Sequence, residues 1–160
     1  QNVEVAHHLF RKSRELEQLI TTPGFRKEDR RVKERIAEML DYFGLNVVKD
    51  ELAKNLPHGY RRTLGVAIAL AADPELLLLD EPVTGMNETE TATMASLIKG
   101  LRDDMGITIV LVEHDMRALM SLSEHIIALD FGKKIAEGTP SEVANNKAVI
   151  EAYLGTEEGI

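Results

Sequence analysis

The chain has 160 residues, about one domain's worth, and is long enough to bury a real core. Its 19 basic residues against 27 acidic ones leave a net charge of −8, which argues against a nucleic-acid or anionic-membrane surface, since either would need clustered Lys and Arg. The 44% hydrophobic content argues against global disorder, and the absence of cysteine removes disulfides, thiolate metal sites and cysteine nucleophiles and fits a reducing cytoplasm.

Residues 1 to about 55 read as helical. Val5, Leu9, Leu16, Leu19 and Ile20 recur at helical spacing with Arg11, Lys12, Arg14, Glu15 and Glu17 between them, and Thr22-Pro23-Gly24 is expected to stop that helix. A second helix from about Glu28 carries Val32, Ile36, Met39, Leu40 and Phe43 on one stripe, with Gly44 placed as its C-terminal cap. His7-His8 points in two directions on the first helix, so it reads as a solvated pair rather than a metal site. Because the chain opens on Gln1 in the middle of a helical pattern, it is expected to be a piece of a longer protein.

From residue 56 the period changes. Leu64 to Ala72 predicts a buried helix after the turn Leu56-Pro57-His58-Gly59-Tyr60. Leu76 to Leu79 predicts a strand covered on both faces. Asn87-Glu88-Thr89-Glu90 resembles a capping box, and the helix behind it sets Met94, Leu97, Ile98 and Leu101 on one side before Gly106. Ile107 to Val112 is a β-branched run, again strand-like. Strand, helix, strand at this length is a βαβ unit with parallel strands. Shorter strands near His125 to Leu129 and Lys134 to Glu137 follow, with a helical tail from Pro140 and a structural role for His125. The apolar runs fall far short of the ~20 residues that span a bilayer.

Parallel strands end on one edge of their sheet, and open α/β sheets bind ligands at that carboxyl edge. The two strands end in Asp80-Glu81 and in Glu113-His114-Asp115, so Asp80, Glu81 and His114 are expected to cluster there. Two carboxylates and an imidazole suit a metal-assisted displacement: one carboxylate holds a hard cation, its neighbour orients or deprotonates a water, and the imidazole contacts a terminal phosphate. A strand-end cap and a loop histidine are the bland alternatives. The turn at Leu56 to Tyr60 enters a helix, whose unsatisfied N–H groups and positive dipole end suit an anion; an ordinary helix start would look the same.

Taken in order, Leu56-Pro57-His58-Gly59-Tyr60-Arg61-Arg62, Leu76 to Pro82, Gly85-Met86-Asn87 and Val112-Glu113-His114-Asp115 resemble the signature loop, Walker B strand, D-loop and switch-histidine loop of ATP-binding-cassette (ABC) ATPases. Asp130 to Pro140 is similar to the family's later hairpin. Gln1-Asn2-Val3 and the Leu-Pro-His-Gly signature resemble the branched-chain amino-acid importer subgroup.

The resemblance implies an α/β fold, a partial P-loop NTPase-like parallel sheet with an α-helical subdomain. Residues 1–55 would form the helical subdomain, 56–139 the signature helix and the Walker B, D-loop and switch part of the core, and 140–160 a C-terminal helical tail. It implies ATP and Mg²⁺ as cofactors, with Asp80 holding Mg²⁺ through water, Glu81 as general base, and His114 on the γ-phosphate. Leu56, Pro57, His58, Gly59 and Tyr60 would bind ATP held by a second subunit in a head-to-tail dimer, with Asn87 crossing that interface. Partners would be that second ATPase subunit and membrane permease subunits, and the location cytoplasmic, peripheral on the inner face of the cell membrane.

The chain departs from the commoner signature, which has Ser and Gly where Pro57 and His58 stand and Gln where Tyr60 stands. Pro57 has neither hydroxyl nor N–H, so phosphate contacts would fall on His58 and Gly59. No G-x-x-x-x-G-K-[ST] loop is present; the single Gly-Lys pair is Gly132-Lys133, followed by Lys134. The 160 residues alone are therefore expected neither to bind ATP tightly nor to hydrolyse it. Two alternatives remain open at this point: a non-catalytic half-cassette interaction module, and an ABC ATPase with a soluble, non-transport role. With the early strands of such a cassette outside the chain, an uncovered apolar sheet surface is expected.

Overall fold

The computed structural model of the protein describes residues 1–9 and 23–154, without the side chains of 7–9, 23–28 and 154. Expectations placed on His7-His8, Leu9, Leu16, Leu19, Ile20 and Thr22 lie outside the described side chains and residues. The chain separates into two compact units, Gln1–Val110 and Leu111–Ile160.

The first unit opens with helices α1 (Asn2–Leu9) and α2 (Pro23–Tyr42). Helix α1 packs on α2 and on α3 (His58–Leu70), and Val3, Ala6, Val32, Met39, Phe43, Leu45 and Leu56 are buried in this unit. The buried stripe of α1 runs through Val3 and Ala6; Val5 is exposed, one position out of phase with the predicted stripe. Helix α2 also starts earlier than expected. Pro23 opens it instead of only closing what precedes, because proline's fixed φ and missing N–H fit the first helical position. Gly44 lies in the left-handed region at φ 63 just beyond α2, as a glycine cap requires.

Helix α3 begins at His58, so the turn predicted to precede it forms its first turn, and it ends at Leu70, not Ala72. Only Gly59, Val66, Ala67 and Leu70 are fully buried, which makes α3 amphipathic rather than buried all round. Strand β1 (Leu76–Asp80) corrects a second expectation. Leu77 and Leu79 are buried, but Leu76 and Leu78 are 50% and 70% exposed, so one face of the leucine run is uncovered.

Helix α4 (Glu88–Asp103) starts with the predicted capping box and buries Met94, Ile98 and Leu101, with Leu97 half-buried. Gly106 follows at φ 69. Strand β2 (Thr108–Val112) then lies beside β1 in a two-stranded parallel sheet, and the Thr108 N–H donates to the Glu75 carbonyl at 3.0 Å. Val110 and Val112 are exposed. With Leu76 and Leu78 they leave apolar side chains of the two strands exposed.

The second unit holds α5 (Met116–Leu122), β3 (Ile126–Asp130), β4 (Lys133–Gly138), α6 (Pro140–Ala144) and α7 (Lys147–Leu154). Strands β3 and β4 form an antiparallel hairpin with Ile126 opposite Gly138 and a register shift between Ala128 and Leu129. Its two-residue turn, Phe131-Gly132, has φ 43 and 75, the paired positive values of a tight hairpin turn. Ile126, Val143 and Val149 form the core, packed by Met116, Leu119, Met120 and Ile135. The predicted tail is two helices; the first is fastened by a Thr139–Glu142 capping box. His125 serves as expected, pairing with Glu137 at 3.1 Å across the hairpin. Among the described residues no helix is long and apolar enough to cross a membrane.

Candidate functional site

The candidate residues of the first unit lie on two turns and one strand end. Leu56 is buried and extended, and Pro57 stands at the N-cap of α3, with its carbonyl accepting the Arg61 N–H at 3.1 Å. The N–H groups of His58, Gly59 and Tyr60 therefore occupy the first turn, where a helix provides no acceptor of its own. His58 is exposed, Gly59 buried and Tyr60 half-buried. No side chain caps this helix start.

Asp80 closes β1 and is exposed at the strand's carboxyl end. It shares an open cleft of about 300 Å³ with Arg61 and Arg62 of α3, Leu78 and Pro82, so an acidic group and two guanidinium groups line one space. Glu81 follows at φ 46, a left-handed conformation uncommon for a residue of its kind. The Thr84 hydroxyl donates to the Glu81 carboxylate at 3.1 Å, and the Thr84 N–H donates to the Glu81 carbonyl at 3.3 Å. The strained residue is thus held by its own turn, with Pro82 and Val83 buried beneath it. Thr84 was not singled out in the sequence; its spacing of three from Glu81 is the one signal that could have marked it.

Gly85 has φ 78, and Asn87 caps α4. The Asn87 side chain accepts the Glu90 N–H at 3.0 Å, and the Glu90 carboxylate accepts the Asn87 N–H at 3.0 Å. The structure brings this turn onto the start of α3. A methyl carbon placed on Gly85 would lie 3.2 Å from the His58 ring, and one on Gly59 would lie 2.5 Å from the Glu90 carboxylate. Leu56–Tyr60 and Gly85–Asn87 are therefore neighbours, which sequence order alone does not reveal.

His114 belongs to the second unit, and its side chain is 70% exposed. The preceding Glu113 side chain is fully buried although its backbone is not. Its carboxylate accepts the His114 N–H at 3.1 Å and the Asp115 N–H at 3.4 Å, which fixes the loop that presents His114. Asp115 caps α5 by accepting the N–H groups of Arg117 and Ala118 at 2.9 and 3.1 Å. Glu113 is the positioning group that sequence reasoning passed over, because nothing in a strand-end glutamate signals that its carboxylate folds back. Among the described residues no three His, Asp or Glu side chains form a group able to hold a metal by themselves.

A parallel sheet with a carboxylate pair at its strand end and a helix start beside it is an α/β arrangement that fits a P-loop NTPase-type core. The crystal structure of the ADP conformation of MJ1267, an ATP-binding cassette of an ABC transporter, shares this fold with a TM-score of 0.75 over 97% of this chain and 62% of that one, at 22% identity. The ABC transporter profile matches residues 1–84, more than half of the chain, and the chain belongs to the ABC transporter family. A second profile, that of the branched-chain amino acid ATP-binding cassette transporter, matches residues 133–159. Relatives include the high-affinity branched-chain amino acid transport ATP-binding protein BraF of Pseudomonas aeruginosa, 37% identical over 155 residues, and LivG of Escherichia coli K12, 39% identical over 155 residues. The chain spans 97% of itself but 61% of each of those relatives.

Proposed function

We infer that this chain is part of the ATP-hydrolysing subunit of an ABC importer for branched-chain or related amino acids. The observation that carries the reading is Glu81, held in a left-handed turn directly behind β1 and beside Asp80, in a chain of this family. The importer assignment is supported by the names of BraF and LivG and by the match of residues 133–159.

The residues fit the groups the family implies. Asp80 is an exposed carboxylate at a strand end, the kind of hard oxygen donor that would hold Mg²⁺ directly or through water. Bound Mg-ATP supplies a terminal phosphoryl group whose charge is partly neutralised. Glu81 orients the attacking water and takes its proton, and the Thr84 hydroxyl fixes the carboxylate that does so. His114, presented by the Glu113-anchored loop, contacts the γ-phosphate. The N–H groups of His58 and Gly59 serve the ATP of a second subunit, since Pro57 has none to offer. Asn87, with Gly85 and Met86, crosses the interface of a head-to-tail dimer. Residues 1–55 form the part that faces the permease, 56–139 belong to the ATPase core, and 140–160 form its tail. The subunit is cytoplasmic and peripheral on the inner membrane face.

A mixing experiment tests this reading. In a head-to-tail dimer each site combines Glu81 of one copy with the signature turn of the other. Full-length cassettes carrying Glu81→Gln and cassettes carrying Gly59→Asp should each be inactive, and their mixture should regain turnover, because one site of a mixed dimer is intact. A mixture as inactive as its parts contradicts the reading.

A further inference from the structure

Two loops that the family resemblance treats separately are fastened to each other within this chain, and the fastening is reciprocal. On one side the His58 imidazole lies across Gly85. A methyl carbon on Gly85 would sit 3.2 Å from the ring Cε1, 3.6 Å from Nε2 and 3.7 Å from Nδ1. On the other side the Glu90 carboxylate lies against Gly59, where a methyl carbon would sit 2.5 Å from Oε1 and 2.9 Å from Cδ. Each loop thus contributes one glycine and receives one bulky side chain from the other.

The Glu90 carboxylate is held in place by its own helix start. Glu90 accepts the Asn87 N–H at 3.0 Å while its own N–H donates to the Asn87 side chain at 3.0 Å, so its carboxylate cannot leave Gly59 without opening the capping box of α4. Gly85 has φ 78, a conformation that side-chain-bearing residues rarely adopt, and His58 uses the space that the missing side chain leaves.

We propose that Glu90 and His58 are positioning residues that lock the Leu56–Tyr60 turn to the Gly85–Asn87 turn, so that both meet the partner subunit as one piece. The joint explains why a ring is accommodated at position 58, where the commoner signature has glycine: Gly85 makes room for it. What the joined loops meet rests on the function proposed above; the joint itself rests on the geometry of one subunit.

The test uses the full-length cassette with Glu90→Ala, Glu90→Gln, His58→Ala and the double variant His58→Ala/Glu90→Ala. Glu90 takes no part in the nucleotide contacts proposed above, so Glu90→Ala should keep Mg-ATP affinity within about twofold while kcat falls about tenfold or more. Glu90→Gln keeps an oxygen for the Asn87 N–H and fills the same space, and should recover to within about threefold of wild type. The double variant should be little worse than the poorer single one, since both side chains serve one joint. Unchanged kcat in Glu90→Ala, equal loss in Glu90→Gln, or multiplicative loss in the double variant each overturns the proposal. Amide hydrogen exchange separates this from the functional reading. Glu90→Ala should speed exchange at Arg61, whose N–H donates to the Pro57 carbonyl, as well as at Met86 and Asn87, and unchanged exchange at Arg61 overturns the joint. Faster exchange at both loops in a cassette whose wild type hydrolyses no ATP would leave the joint standing and the functional reading refuted.

Discussion

Tyr42 and Gly100 tie the helical segment of the first unit to α4, and the tie can be measured as a coupling energy. The Tyr42 hydroxyl donates to the Leu97 carbonyl at 3.3 Å, and a methyl carbon on Gly100 would overlap that hydroxyl oxygen and lie 3.3 Å from the Asp104 carboxylate. Gly100→Ala gains about 1 kcal/mol of helix propensity but overpacks the contact at a cost of about 1–3 kcal/mol, so the net loss should be about 1 kcal/mol. Tyr42→Phe removes a part-buried hydrogen bond and should also cost about 1 kcal/mol. In the double variant the methyl group enters the space the hydroxyl vacates, so its stability should return near wild type, a coupling of about 2 kcal/mol. The chain has no tryptophan, so urea unfolding followed by far-UV circular dichroism is the suitable assay. Additivity of the two losses within about 0.5 kcal/mol would refute the packing argument. Burial, reinforced by the Asp104 carboxylate, raises the Tyr42 phenol above its ordinary range. A raised folded value means that this contribution is complete below the unfolded value and disappears as pH rises through the folded one, so the coupling should fade only on the alkaline side.

Three further outcomes follow from the same structure. Glu113→Ala should destabilise the second unit by about 2 kcal/mol, because the buried carboxylate accepts two backbone N–H groups, and should speed amide exchange at His114 and Asp115; unchanged exchange there would show that the loop is held otherwise. Thr139 holds the Glu142 carboxyl below its ordinary range through its N–H and hydroxyl, and Lys134, then His125, do the same for Glu137. Depressed folded values contribute stability above the unfolded carboxylate range and lose it as pH falls through the folded ones, so the hairpin unit should weaken below about pH 4, with a shallower acid slope in Thr139→Ala. Titrated by itself, the 160-residue chain should show no tight Mg-ATP binding, since it carries no G-x-x-x-x-G-K-[ST] loop; micromolar affinity would overturn that expectation.

Local signals in the sequence carried most elements. The Asn87-x-x-Glu90 box, Gly44 and Gly106 mark ends that depend on neighbouring residues alone, and the β-branched run at 107–112 names its own strand. Errors arose where tertiary context decides. A continuous leucine run does not say whether both of its faces are covered, and the exposed Leu76 and Leu78 answer for this chain. Pro23 stops one helix or opens the next with the same chemistry, and only the chain's path chooses. At the candidate site the motif letters located Asp80, Glu81 and the Leu56–Tyr60 turn, but the contact of His58 with Gly85 joins residues 27 positions apart and has no sequence periodicity to announce it. Glu113 escaped for a related reason, because its role lies in where its carboxylate turns, not in its spacing.

The central claim is that Glu81 activates water for hydrolysis of a nucleotide shared between two copies, and Glu81→Gln in the full-length cassette tests it most directly. Removing a general base lowers turnover about 10²–10⁴-fold, whereas the amide leaves Asp80 and the Leu56–Tyr60 and Gly85–Asn87 turns in place. The account predicts that Mg-ATP still binds, that dimers accumulate with it, and that turnover collapses. Turnover equal to wild type, measured on the same preparation, would contradict it.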